Sequence, residues 1–163
     1  MKIFITSDTH FNHKNIIKYA CRPFKTIEEM NEEIIKRWNN KVGKGDIVIH
    51  LGDFGIGSKN EIIELKNKLN GTIILLRGNH DHKATREAGF LLVKGSLEIE
   101  NLILSHFPLS EEEIPKGFIN VHGHIHEKES FNGVNVSIEK TKYEPLELEK
   151  LKESIKFKEN KLS

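Results

Sequence analysis

The chain has 163 residues, of which 37% are hydrophobic and 30% charged, with a net charge of +1. That length suits one compact domain with a sizeable core, and the near-neutral charge leaves out the basic footprint of an extended duplex binder. A single cysteine, Cys21, excludes an internal disulfide, no stretch approaches the roughly 20 apolar residues of a membrane helix, and the opening MKIFITSDTH lacks a secretory apolar region, so a cytoplasmic protein with no membrane partner is expected.

Ile3 to Ile5 is a short apolar run of the kind that forms a strand buried on both faces. Thr26 to Asn40 has helical spacing. Thr26 and Glu29 make a capping-box pattern, and Ile27, Met30, Ile34 and Trp38 share one face, which places Trp38 in the core. Ile47 to Leu51 is a second buried strand. Ser58 and Glu61 open another helix, with Ile62, Leu65 and Leu69 on its apolar face and Gly71 as its expected stop. Ile73 to Leu76 is a third buried strand, and this β-α-β-α-β order predicts an α/β core with parallel strands.

Beyond residue 90 short strands follow closely: Phe90–Val93, Leu97–Glu100, Leu102–Leu104, Phe118–Val121 and Val134–Ile138. The short gap Lys94–Ser96 predicts a hairpin. In the last strand Asn135 and Ser137 alternate with apolar residues, so one face is expected to be wetter. From about Leu146 the Lys/Glu-rich end reads as a surface helix with a frayed terminus. Cys21 is expected to pack as an ordinary small apolar side chain.

Five polar clusters stand at strand ends: Asp8-Thr9-His10, Gly52-Asp53, Gly78-Asn79-His80-Asp81, Ser105-His106 and His122-Gly123-His124-Ile125-His126. In α/β sheets, sites form beyond the carboxyl ends of strands, so five strands can aim these side chains into one pocket. Carboxylate, carboxamide and imidazole together favour Mn, Fe, Zn, Co or Ni, and without cysteine a closed structural zinc site is disfavoured. On an extended backbone the D-x-H and H-x-H spacings put alternate side chains on one side, so each pair can grip one ion. A carboxylate such as Asp53 can bridge two ions. Glycines 52, 78 and 123 allow tight turns and close approach. His50 and His122, within apolar strands, read as core or supporting histidines, and His82 as solvent-facing.

The ordered set D-x-H, GD, GNHD, H and GHxH resembles the calcineurin-like metallophosphoesterase superfamily. The segment HFNHKNII followed by CRPF is similar to a small group of bacterial and phage phosphoesterases. The resemblance implies a four-layer α/β/β/α sandwich with mixed sheets. It assigns Asp8, His10 and His126 to one divalent ion and Asn79, His106 and His124 to another, with Asp53 bridging. It implies a bridging hydroxide that hydrolyses a phosphomonoester or phosphodiester, with manganese the first ion to try in vitro. His80 is the histidine facing the scissile phosphate, and Asp81 either orients its ring or supports a ligand.

The family's protein phosphatases carry an Asp-Arg-Gly shortly after the GD motif, whereas here Phe54-Gly55-Ile56-Gly57 follows. That departure, with a length that leaves little room for a cap domain, points to an open pocket and a small phosphorylated substrate. Asn12, His13, Asn15 and Arg22 directly follow the first pair and are the expected substrate-binding residues. Two other readings are a catalytically silent interaction scaffold and a nuclease or end-processing phosphatase, the latter calling for a basic strip beside the pocket.

Overall fold

The computed structural model describes the backbone of residues 1–162 and side chains as far as Phe157. Two mixed sheets form the frame. In the first, β1 (Ile3–Thr6), β2 (Ile47–His50), β3 (Thr72–Leu76) and β4 (Leu91–Val93) run parallel, in the order β4-β3-β2-β1. β9 (Leu146–Glu147) closes the other edge antiparallel to β1. The second sheet joins β5 (Leu97–Ile99), β6 (Leu102–Ser105), β7 (Ile119–His122) and β8 (Val134–Asn135) in sequence order.

The two faces of the first sheet bury different partners because successive side chains on a strand point oppositely. Phe4, Val48, Ile73 and Leu75 face the helical layer, where α2 (Ile27–Lys41) and α3 (Lys59–Asn67) contribute Met30, Ile34, Trp38, Ile62 and Leu65. Ile5, Ile49 and Leu76 face the second sheet and meet Leu102, Leu104 and Val121. α5 (Leu148–Leu162) inserts Leu148, Leu151 and Ile155 into that same inter-sheet core, beside β1 and β9. Two short helices, α1 (Ile16–Tyr19) and α4 (Lys83–Arg86), lie in the loops after β1 and β3.

Local signals behave unevenly. Ser58 and Glu61 make the complete reciprocal cap. Thr26 accepts from the Glu29 N–H, but the Glu29 carboxylate takes the Lys25 N–H instead of closing the box. Gly71 does not end α3, which stops at Asn67. Its φ of +89° instead turns the connection into β3.

Three expectations are corrected. Lys94–Ser96 is not a hairpin: β4 pairs parallel with β3, and β5 pairs antiparallel with β6 in the other sheet. The chain changes sheets there, and the hairpin is one step later, through Glu100 (φ +55°) and Asn101. The segment after Asn135 keeps one N–H bond from Val136 to the His122 carbonyl, then passes to a bridge from Ser137 to Ser7 and buries Ser137 completely, so it has no wet face there. Cys21 is exposed in a turn with φ +46° and packs in no core. The C-terminal segment is helical as expected but buries one apolar stripe. Its fraying falls outside the described side chains. Among the described residues no helix is long and apolar enough to cross a membrane.

Trp38 is fully buried and donates its indole N–H to the Asn70 carbonyl at 2.9 Å, tying α2 to the turn before β3. Trp38→Ala therefore removes both a large core volume and a partner for a carbonyl. We expect a loss of about 3–5 kcal/mol in urea unfolding followed by circular dichroism.

Candidate metal centre

The five polar clusters converge where the carboxyl ends of β1, β2, β3, β6 and β7 meet. Ligand atoms of Asp8, His10 and His126 lie within 4.8 Å of one another, and so do those of Asp53, His106 and His124. Asn79 joins the second group, its Oδ1 standing 2.8 Å from His106 Nε2. Asp53 Oδ2 is 3.5 Å from His10 Nε2 and 3.6 Å from His106 Nε2. One carboxylate thus stands between the two groups.

Backbone conformation is part of this convergence. Asp8, His10, Asp53, His124 and His126 all have positive φ, between 48° and 69°. Left-handed backbone is uncommon for residues with a side chain, and it persists at functional sites where the surroundings over-determine it. The expected extended-strand explanation for the D-x-H and H-x-H spacings is therefore corrected: pairs two residues apart converge because both members turn left-handed. Two of the close approaches in the site show why glycine is needed. A side chain at Gly123 would strike Ser7 and Asp8, and one at Gly78 would strike Asp53.

Hydrogen bonds identify which atoms are left to bind. The His106 Nδ1 sits 2.9 Å from the Leu51 carbonyl, which can only accept, so Nδ1 carries the proton and Nε2 keeps its lone pair. His126 Nδ1 faces Glu139 Oε1 at 3.1 Å with the same result. Asp8 Oδ2 accepts from the His124 N–H and the Ser137 hydroxyl, while Oδ1 is buried without a partner. His10 Nε2 is also buried and unpartnered. Unpaired buried polar atoms cost about 1–3 kcal/mol each, and a shared cation is the simplest group that satisfies a carboxylate oxygen and an imidazole lone pair together. The donor set therefore fits divalent ions, with Asp53 placed to serve both.

Electrostatics agree. Burial holds the His10, His106 and His124 imidazoles below their usual range, so at pH 7 they are neutral and have a lone pair to offer an ion. Burial opposes charging of His126 as well, but its hydrogen bond to Glu139 and the charges of Asp8 and Glu139 outweigh that and raise it. Burial pushes the Asp53 carboxyl up to about 7, against the hydrogen bond from the His80 N–H, and the charges of Asp8 and Asp81 add to the rise.

Supporting residues come from distant parts of the chain. The Arg22 guanidinium, wholly buried, donates to the Asp8 and Thr9 carbonyls and pairs with Glu139 at 2.7 Å. Its expected substrate contact is corrected: Arg22 fixes the first metal loop from beneath. Asp81 accepts from the backbone N–H groups of Asp53, Phe54 and Gly78. It holds the bridging loop and takes no part in orienting the His80 ring. Asn12 exchanges hydrogen bonds with Asn31 on α2 and is likewise committed to loop structure.

His50 is wholly buried, with its pKa lowered to about 3 by burial. Its Nδ1 accepts from the Gly52 N–H and its Nε2–H donates to Thr9, whose hydroxyl donates to the Phe54 carbonyl. His122 contacts the Gly123 carbonyl and Ser130. His82 is exposed.

A cavity of about 510 Å³ opens over the first group, lined by His10, His13, Asn15, Tyr19, His80 and Ile125 among others. His80 is exposed there, its ring 5.4 Å from that of His10 and 6.0 Å from that of His13. His13 Nδ1 lies 3.2 Å from His10 Nδ1. Sequence reasoning missed Tyr19, Ser137 and Glu139. Tyr19 had only its closeness to the first motif as a signal, and Glu139 only its place two residues after Ser137.

The Asp53 shift fixes a pH dependence. Its folded pKa of about 7 exceeds the ordinary carboxylate value, so in the metal-free protein the group favours folding most at low pH, and this contribution falls away as pH rises to about 7. Ion binding must expel that proton below about pH 7. Manganese affinity measured by calorimetry is therefore expected to level off above about pH 7.5 and to fall at least roughly tenfold per pH unit below about pH 6.5. Affinity that is flat from about pH 5.5 to 8 contradicts this arrangement.

The chain matches the calcineurin-like phosphoesterase family over residues 1–162. It is 41% identical over 160 residues to the uncharacterised protein MJ1445 of Methanocaldococcus jannaschii, covering 91% of this chain and 88% of that one. It is 28% identical over 159 residues to the Gene 66 protein of Mycobacterium phage L5, covering 76% of each. Among solved structures, a protein of unknown function from Aquifex aeolicus, AQ665, superimposes with a TM-score of 0.72 at 23% identity, over 93% of this chain and 98% of that one. The Pseudomonas putida nuclease MPE does so with a TM-score of 0.50 at 20% identity, over 76% and 61%. The match over nearly the whole chain, on a fold that brings its motif residues to one place, shows that this protein belongs to the calcineurin-like phosphoesterase family.

Proposed function

We propose that the chain hydrolyses a phosphomonoester or phosphodiester of a small molecule with two divalent ions, manganese being the first to test. The observation that supports this reading is the position of Asp53, whose Oδ2 stands almost equally far from a histidine of each group. Asp8, His10 and His126 would hold one ion, Asn79, His106 and His124 the other, and Asp53 both. Such a pair, when bound, supplies the charge that neutralises phosphoryl oxygens and acidifies water at neutral pH.

The protein's own groups do the rest. Asp81, through three backbone N–H groups, and the His80 N–H fix the Asp53 loop, so the site is set before substrate arrives. His80 presents its ring to the cavity beside the first group, where it can donate to the leaving oxygen or to charge developing on the phosphoryl group. If His10 keeps its Nε2 lone pair for an ion, its Nδ1–H donates to His13. That leaves the His13 Nε2–H as a donor for substrate.

The roles of His80 and Asp53 separate experimentally. His80→Ala is expected to retain metal and to hydrolyse bis-p-nitrophenyl phosphate or p-nitrophenyl phosphate roughly 10²–10⁴-fold more slowly. Asp53→Ala is expected to lose metal content as well as activity. Full metal and parental rates in His80→Ala would remove it from the chemistry. A metal-replete parent with no turnover on any phosphoester would favour the scaffold reading.

A further inference from the structure

Beside the second ligand group lies a separate cleft of about 320 Å³, lined by Arg77, Gly78, Asn79, Lys94, Gly95 and Phe107. Its two cations are neighbours by construction. β3 and β4 are parallel with Leu76 opposite Val93, so Arg77 and Lys94 are the next residues on adjacent strands, and the Arg77 N–H donates to the Val93 carbonyl at 3.2 Å. Both side chains are exposed, and among the described residues neither makes an ion pair or a side-chain hydrogen bond.

Two like charges side by side on neighbouring strands repel, and most lysines and arginines can relieve this with a nearby acid. Here no acid lines the cleft. The cleft is also tied to the metal centre. Asn79 is a candidate ligand, and the Phe107 ring contacts His106 and His124, with centroids 4.8 and 4.5 Å away.

We propose that Arg77 and Lys94 form an anion subsite that takes a second phosphate group of the substrate, while the first sits at the metal centre. This deepens the phosphoesterase reading and rests on it. An arginine fork and a lysine point charge together suit a phosphate dianion, which Arg77 can contact through two N–H groups. The second phosphate lies on the side of Asn79 and His106, away from the cavity of His13, His80 and Tyr19, so the substrate spans the centre from one cleft to the other. The cleft is short and the chain carries a net charge of only +1, which favours a small bisphosphorylated molecule over a nucleic-acid strand.

The test is calorimetric binding to the manganese-loaded full chain, freed of excess ion, with thymidine 5′-monophosphate, thymidine 3′,5′-bisphosphate and hexathymidylate. The bisphosphate is expected to bind roughly tenfold more tightly than the monophosphate, as one charge-assisted phosphate contact gives. That advantage should vanish in Arg77→Gln and Lys94→Gln, with monophosphate affinity and metal content unchanged, and persist in the remote charge control Lys116→Gln. Equal binding of the two nucleotides by the parent, or an advantage that survives both substitutions, overturns the subsite. Hexathymidylate binding more than about tenfold tighter than the bisphosphate overturns the choice of a small molecule over a strand. Failure of the loaded parent to bind even the monophosphate would instead count against the phosphoesterase reading beneath it.

Discussion

Asp53 is buried, stands between two sets of imidazoles, and has one oxygen held by a backbone N–H while the other faces histidines of both sets. A carboxylate in that position is costly without compensating charge, which is why its pKa rises to about 7. Much of the surrounding structure serves to keep it there. Asp81 fastens the backbone at residues 53, 54 and 78, and Gly78 must lack a side chain so that the β3 loop can approach. The Thr9–His50–Phe54 chain of hydrogen bonds ties the first loop to the second. The left-handed turns at Asp8, His10, Asp53, His124 and His126 are strain that this network sustains.

A second layer organises the first ligand group. Arg22, from the segment after α1, reaches under residues 8 and 9, and Glu139, from the segment between β8 and β9, accepts from both Arg22 and His126. Partners of this kind orient metal-binding imidazoles and fix their tautomer, and losing them typically costs 10–100-fold in metal affinity. The buried Arg22–Glu139 pair thus ties the segment after α1 to the first loop and to the segment around residue 139.

This division explains what the sequence could and could not convey. The ligand candidates were legible because each sits in a local cluster at the end of an apolar run, and strand ends of parallel sheets converge. Apolar periodicity also gave α2, α3 and the strands near their observed places. Arg22 and Glu139 were not legible as a pair, because 117 residues separate them and neither has a local signature. Arg22 and Asn12 were misread, and Asp81 was left between two roles, for one reason: a polar residue next to a motif can face the chemistry or support the loop, and only the fold decides. The missing Lys94–Ser96 hairpin has a similar origin. A three-residue gap permits a hairpin, but β4 pairs parallel with β3 and β5 pairs antiparallel with β6, so the gap carries the chain from one sheet to the other. That same pairing sets Lys94 beside Arg77.

The proposed chemistry depends on two ions sharing Asp53. The most direct test is a crystal of the manganese-soaked protein with anomalous diffraction measured at the manganese edge. Two peaks about 3.5–4 Å apart on either side of the Asp53 carboxylate, one near Asp8, His10 and His126 and the other near Asn79, His106 and His124, are predicted. A single peak at full occupancy, or peaks that do not contact Asp53, would contradict it.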